Sequence, residues 1–377
     1  MLSGNPITIS ESALDITAMM QSNDNTVRDI EWQDGKINVN STISNLVRRS
    51  DRMSNIMQTN EITTEYIDYV NAIPETQAGA ITFGYGLNLS NNIYTDFTPA
   101  ARRPTVADHG NGTKVNMSLA AIKAIYESIL IETEDYAQYA AFIGGLDDPF
   151  RLLPNQQDYI LGNDGKGIKG QYNLLPGSKY ATEAGEIMLV LRRNHWLSDL
   201  LLAQLGFYTQ NEFMNMVFRA IDVSEDSPFQ HIPEMDLFHF DYSDILNHEF
   251  TYYPNSVAFS KTPEHITDLP MIGKGTLLDG ATLLDLMNPN VSVTVDCSSY
   301  RHNAYSKDFN PADGTKLKVV GILEPKDDLN YGTLSSGFFY TEALRDLIFE
   351  TEAKNESDIA KDLVRYGSFS SKNRSVS

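Results

Sequence analysis

The chain has 377 residues, 41% of them apolar and 10% aromatic, enough for a sizeable core and two or three domains and against general disorder. Its 29 Lys and Arg against 50 Asp and Glu leave a formal net charge of −21, which argues against nucleic acid and against an anionic membrane surface as partners. The one cysteine, Cys297, excludes an intrachain disulfide and any Cys-rich zinc site, and with no basic neighbour it reads as a buried, inert thiol.

In chain order, "NPITISESALDITAMM" suits a strand and a short helix, and residues 20 to 60 are polar throughout and read as a long surface excursion. Ile62, Tyr66, Tyr69, Val70 and Ile73 then recur at helical spacing, closed by Pro74. A strand is expected next, because Ile81, Phe83, Tyr85, Leu87 and Leu89 alternate with small or polar residues. From 114 to 143, Leu119, Ile122, Ile125, Ile129 and Leu130 share one helical face, with a break before Tyr136. Gly and Pro then rise through residues 144 to 180, which suits a hinge.

"EIMLVL" is a continuous apolar run and therefore a strand buried on both faces. "LSDLLLAQLG" is a short helix capped by Ser198 and stopped at Gly206, and Thr209 and Glu212 stand at capping-box spacing before another helix. "VSVTVD" alternates as a strand. In "TKLKVVGILEP" Leu317, Val319 and Leu323 are expected on one side of an extended backbone and Val320 and Ile322 on the other, with Pro325 ending the ladder. "GFFYTEALRDLI" reads as a short strand running into a helix with Thr341 as N-cap and Glu342 in the first turn. The polar connection 326 to 336 between these strands is expected to be exposed, and the last residues to be frayed.

Motifs that carry chemistry are weak. "GKGIKG", residues 165 to 170, has GxGxxG spacing but lacks a strand before and a helix after it, and there is no Walker sequence. A metal site can be drawn from His231, His239 and His248 with Asp236, Asp241 and Asp244, but spacings of eight and nine residues match no helix face. Glu249 with those acids could pair for glycoside cleavage, yet fifty acids make such pairs common by chance. The serines of "TLSSGFF" lack a GxSxG frame, and Cys297 has no histidine nearer in sequence than His302. The 19 tyrosines suit core and rim better than a ligand surface. No stretch reaches the roughly 18 to 20 apolar residues of a membrane helix, the nearest being broken by Arg192, Arg193, Asn194 and His195. The N-terminus lacks the basic and then apolar regions of a signal peptide, so the chain as read is expected to be soluble.

Three segments taken in order, "PGSKYATEAGEIMLVLRRNHWLSDLLLAQLGF", "FDYSDILNHEFTYYPN" and "LKVVGILEPKDDLNYGTLSSGFFYTEALRDLI", resemble the extracytoplasmic domain of MacB/FtsX-type ABC transporter permeases, in the large form found in Gram-positive bacteria. "LSGNPITISESALD" and "ITTEYIDYVNAIPETQAGAITF" resemble the start of that domain. By position, Glu186 to Leu191 matches the strand after the hinge, Leu205-Gly206 its helix stop, Val319 to Gly321 the late strand and Tyr340-Thr341 the return to the first lobe. The family normally continues through a further strand and a long helix into its second membrane span, whereas this sequence ends at "RYGSFSSKNRSVS", and 20 to 60 and 260 to 290 diverge from the pattern.

The resemblance implies an α+β fold of two lobes: a membrane-proximal lobe from 1–150 and 326–377, with the excursion at 20–60, and an inserted, β-rich distal lobe at 151–325. It implies a non-enzymatic domain on the extracellular face of a bacterial cell membrane, without cofactor, metal or catalytic residue. Its partners would be the transporter's own membrane helices, its ATP-binding subunit, a second permease copy and a peptide or lipid-linked molecule that is exported or sensed. The acidity and tyrosine content leave one alternative, a secreted carbohydrate-active or glycan-binding protein. Purified chain is expected to release no phosphate from ATP and to retain no equivalent of zinc after dialysis; a phosphate-release assay and elemental analysis check the two.

Overall fold

The computed structural model describes residues 33–40, 62–73, 87–102, 111–132, 148–153, 168–192, 195–219, 238–261, 267–269, 273–277, 293–296, 300–327, 334–357, 359–361 and 373–376. Its first elements are β1 (Lys36–Asn40), α1 (Thr64–Asn71), β2 (Ile93–Phe97), β3 (Val115–Ser118) and α2 (Leu119–Glu132). The middle of the chain supplies β4 (Phe150–Leu152), α3 (Ile168–Gln171), β5 (Tyr172–Leu174), β6 (Glu186–Val190), β7 (Trp196–Ser198), α4 (Asp199–Gln204) and α5 (Gln210–Arg219). Next come β8 (His239–Asp241), α6 (Tyr242–Leu246), β9 (Glu249–Tyr252), α7 (Asn255–Ala258) and β10 (Phe259–Lys261). The rest are β11 (Thr267–Leu269), β12 (Gly273–Leu277), β13 (Val293–Asp296), β14 (Tyr300–His302), β15 (Thr315–Pro325), β16 (Gly337–Tyr340), α8 (Glu342–Ala353) and β17 (Asn373–Val376).

The fold is α+β, built on an eight-stranded mixed sheet in the order β3-β2-β9-β15-β6-β16-β4, with β5 added at the far end of β15. The central pair, β6 and β15, runs parallel. All five residues of β6 are buried, as its unbroken apolar run requires of a strand covered on both faces. One face carries the main core: Ile187, Leu189, Leu317, Val319, Ile322 and Phe338 pack with residues of α2, α4, α5 and α8. Met188, Val190, Leu323 and Phe339 point the other way, into a smaller cluster with Ile168, Tyr172 and Leu334.

The phase of β15 differs from simple alternation. Val319 pairs with Ile187 and Gly321 with Met188, so Val320 is an extra residue on the β15 side of the ladder. The bulge puts Ile322 on the same face as Leu317 and Val319, and sends Leu323 with Val320 to the other. Gly321 is required at this point, because a Cβ there would lie 2.2 Å from the Lys179 carbonyl oxygen.

Capping chemistry fixes the helices where the sequence places it. The Thr341 hydroxyl accepts from the Leu344 N–H at 3.2 Å and donates to the Glu183 carbonyl at 3.0 Å, so one side chain starts α8 and ties it to the loop before β6. Thr209 and Glu212 close a reciprocal box: each backbone N–H is bonded by the other's side chain, at 2.7 and 3.2 Å. Gly206 stops α4 in the left-handed region at φ 77°. Ser198 stands at the N-cap of α4 but makes no side-chain cap bond. In α1, Thr63 caps the Tyr66 N–H at 3.3 Å, yet no residue of that helix is buried and Tyr69 is 71% exposed.

Three expectations need correction. Residues 20–60 include a buried strand: β1 is the middle of a three-stranded sheet with β7 and β8, and Ile37 and Val39 have no exposed surface. Two apolar residues alternating in "KINVN" are too few to stand out from a polar stretch. The boundary at 150/151 falls inside β4, and the large sheet draws strands from 1–150, 151–325 and 326–377 alike, so these divisions do not separate the sheet. The connection after β15 is not polar at both ends: Asp327 is exposed, but Leu334 is buried, its N–H bonded to the Tyr172 hydroxyl at 2.7 Å. The strand proposed at 81–89 and the helical stretch 133–143 lie outside the described residues except for 87–89.

Val319 faces the main core with no exposed surface. Val319→Asp places an unpaired charge there and is expected to cost about 3 kcal/mol or more, out of a total stability of roughly 5–15 kcal/mol. Asp327→Ala, on the exposed side of Pro325, is expected to change stability by less than about 0.5 kcal/mol. Chemical denaturation of the two variants checks the difference.

Candidate functional site

The acids and histidines of 238–250 serve local structure. Asp244 accepts a hydrogen bond from the Asp241 N–H at 3.1 Å, closing the first turn of α6, and Asp241 pairs with Lys36 at 3.4 Å. His239 lies on β8, and Glu249 stands at the surface 3.9 Å from the Lys316 ammonium. His248 stacks on Phe207 with ring centroids 4.1 Å apart, meets Phe250 edge-on at 4.6 Å and shares a 3.0 Å hydrogen bond with the Thr95 hydroxyl. Burial pushes its pKa down to about 4, so the ring is neutral at pH 7 and packs as an apolar group beside the core. His231, Asp236 and Cys297 lie outside the described residues. Among the described residues no three His, Cys, Asp or Glu side chains converge as a metal site would require.

The other sequence candidates also resolve into packing. Ile168 of "GKGIKG" is fully buried as the first residue of α3, and 165–167 are outside the described residues. The Arg151 guanidinium donates to Ser335 of "TLSSGFF". Tyr252, Tyr253, Tyr300 and Tyr340 are all buried. Tyr94, Tyr253 and Phe309 meet edge-to-face with centroids 5.0 to 5.5 Å apart, and the Tyr94 hydroxyl donates to the Asn303 carbonyl at 2.6 Å. These contacts bind β2 and β9 to the segment around 300–310.

Two arrangements were not legible beforehand. The first is a polar cavity of about 210 Å³ between α2 and the turn before β2, lined by Asn88, Ser90, Asn91, Lys123, Glu127 and Asp148. The small side chains of Ala120 and Ala124 leave the space open on the helix side. Asp148 is its most constrained group. Its carboxylate accepts from the N–H groups of Leu89, Ser90 (3.1 Å) and Phe150 (2.9 Å) and from the Ser90 hydroxyl at 3.4 Å. Burial pushes its pKa up to about 6 against the downward pull of those donors. Burial first, and Asp148 second, raise the Tyr340 phenol to about 12. The lining mixes both charges with amides and has no aromatic ring on which a sugar would stack.

The second is a chain of three side chains from three elements. His195, just before β7, bonds Glu324 of β15 through Nε2 and meets the hydroxyl of Tyr242, the first residue of α6, at 3.1 Å through Nδ1. A carboxylate only accepts, so Nε2 carries the proton that it donates to Glu324. Hydroxyl, imidazole and carboxylate stand in the order of a proton relay. Burial, followed by Glu324 and Asp34, raises the Tyr242 pKa, so the phenol stays protonated at neutral pH. The three side chains tie β7, α6 and β15 together.

No protein-family model, curated protein or solved structure matches this chain.

The Asp148 carboxyl titrates higher in the folded chain than in the unfolded one, so folding favours its protonated form. That contribution is complete below about pH 4 and is lost as the pH rises through about 6. Asp148→Asn does not titrate, so the stability of the natural chain relative to this variant is expected to fall across that window by on the order of 1–3 kcal/mol and to level off above it. Urea unfolding of both proteins at pH 4, 5, 6 and 7 measures the difference.

Proposed function

We propose that this chain is the extracytoplasmic domain of a MacB/FtsX-type ABC transporter permease, a non-enzymatic unit that engages an exported or sensed peptide or lipid-linked molecule and couples it to membrane helices driven by a cytoplasmic ATPase. One observation carries the reading. The three segments that resemble the family are far apart in sequence, yet they supply β6, β9, β15 and β16, four consecutive neighbours in the large sheet, together with β7 and most of β8 of the small one. The resemblance thus falls mainly on the packed centre of the large sheet and not on scattered surface segments.

The physical character of that unit suits transmission of movement. β15 is eleven residues long and has hydrogen-bonded partners along both edges, so a displacement at one end reaches the other through a stiff ladder. Among the described candidates, Asp241, Asp244, Glu249 and His248 begin a helix, pair at the surface or stack on aromatic rings. In this reading ATP chemistry belongs to a separate subunit, the extracellular face of the membrane is the location, and a second permease copy completes the transporter. Among the described residues no helix is long and apolar enough to cross a membrane.

The test is made in the source cells with the native reading frame, detected by an antibody against this region. The protein is expected in the carbonate-washed membrane fraction, and protease added to intact cells is expected to remove the epitope. Recovery as a free protein in the medium overturns the reading in favour of a secreted binding protein, and protection from protease in intact cells overturns it outright.

A further inference from the structure

His195 is the only non-glycine residue among the described ones with a positive φ, at 55°. A histidine in the left-handed region is strained by on the order of 1 kcal/mol and stays there only where its surroundings fix it. Among the described residues its partners are explicit. Its N–H donates to the Arg192 carbonyl at 2.8 Å, its own carbonyl accepts from the Asn38 N–H at 2.9 Å, and its ring is held at both nitrogens by Glu324 and Tyr242. The ring is largely enclosed, with 13% of the side chain exposed, so solvent competes poorly for those bonds.

The position of this strained residue matters more than its strain. The next residue begins β7, which pairs in parallel with β1, and β1 pairs in turn with β8. Tyr242 follows β8 directly. Glu324, by contrast, belongs to the last turn of the ladder in β15, at the centre of the large sheet. The imidazole therefore joins both ends of the small sheet, the entry to β7 and the exit from β8, to a single carboxylate on the large one. Ile37, Val39 and Leu197 are buried in the main core, and to that packing the bonds at two ring nitrogens add a directional constraint that apolar contact lacks.

We propose that the His195–Glu324–Tyr242 bridge is a strained latch, and that its release lets the small sheet of β1, β7 and β8 undock as a unit while the large sheet remains intact. The backbone strain at His195 favours opening, and the two ring bonds oppose it. The device follows from the geometry of this chain alone and stands whether or not the domain belongs to a transporter.

Amide hydrogen exchange on the full chain tests it by comparing peptides that cover 36–40, 196–198 and 239–246 with peptides that cover 186–190 and 315–323. Tyr242→Phe keeps the ring and deletes one bond, and is expected to raise exchange in the first group about tenfold with the second group unchanged. His195→Ala deletes both bonds and keeps the strain, and is expected to raise it further. His195→Gly deletes both bonds but removes the strain, and is expected to fall below His195→Ala. Equal acceleration in both groups would mean global destabilisation and would overturn the latch, as would unchanged exchange in Tyr242→Phe and His195→Ala together. Should His195→Ala not fold, Tyr242→Phe alone decides between these outcomes.

Discussion

The hydrogen-bonded ladder along β15 is the constraint on which the rest of the molecule depends. One edge is taken by β6 from Lys318 to Leu323. The other edge is shared: β9 pairs with residues 315–318 and β5 with 323–325. The loop between β5 and β6 fills the interval, with Lys179 donating to the Val320 carbonyl at 2.8 Å and Leu175 to the Ile322 carbonyl at 3.0 Å. The Ser178 hydroxyl accepts from the Ile322 N–H at 3.0 Å. A strand so enclosed leaves few backbone groups without a partner, which is what permits it to lie in the centre of the fold.

This enclosure also explains the bulge. With Val320 inserted, the ladder presents Leu317, Val319 and Ile322 to the main core and Leu323 to the smaller cluster, so a single strand anchors apolar groups on both faces of the sheet. Gly321 makes the close approach of residues 178–181 possible, since the space beyond it is occupied by the Lys179 carbonyl and the Met188 thioether. The bulge, the glycine and the overlying loop thus belong to one solution of a packing problem. The end of the same strand offers Glu324 to His195, so the large sheet is also the fixed point for the small one.

The titratable groups show how environment overrides identity. His248 and His302 are both driven toward the neutral form by burial, although one stacks on Phe207 and the other lends its Nε2 to the Asn91 carbonyl at 2.9 Å. Asp148 is pushed the opposite way by the same cause, because for a carboxyl the charged form is the deprotonated one. An acidic chain of this kind offers many apparent catalytic pairs, and neighbouring structure decides that Asp241, Asp244 and Glu249 begin a helix or pair with lysines. The proposed transporter role is consistent with that economy: its demands fall on stiff connections more than on reactive groups.

Local chemistry was legible in the sequence because it depends on near neighbours. The run "EIMLVL" fixed β6 as a two-sided buried strand, Thr341 fixed the start of α8, Thr209 with Glu212 fixed the start of α5, and Gly206 fixed the end of α4. Strand pairing, the phase of β15 after its bulge and the burial of Ile37 and Val39 came only with tertiary structure, since each depends on which distant segment supplies the facing surface. The two arrangements of polar groups belong to the same class. Apart from the nearby Phe150 N–H, Asp148 draws its donors from residues 58 and 59 positions away, and His195 finds Tyr242 at a separation of 47 and Glu324 at 129. No period or spacing in a sequence encodes such meetings: a side chain's hydrogen-bond partners are set by the path of the backbone through space, and that path is decided by the packing of the whole core.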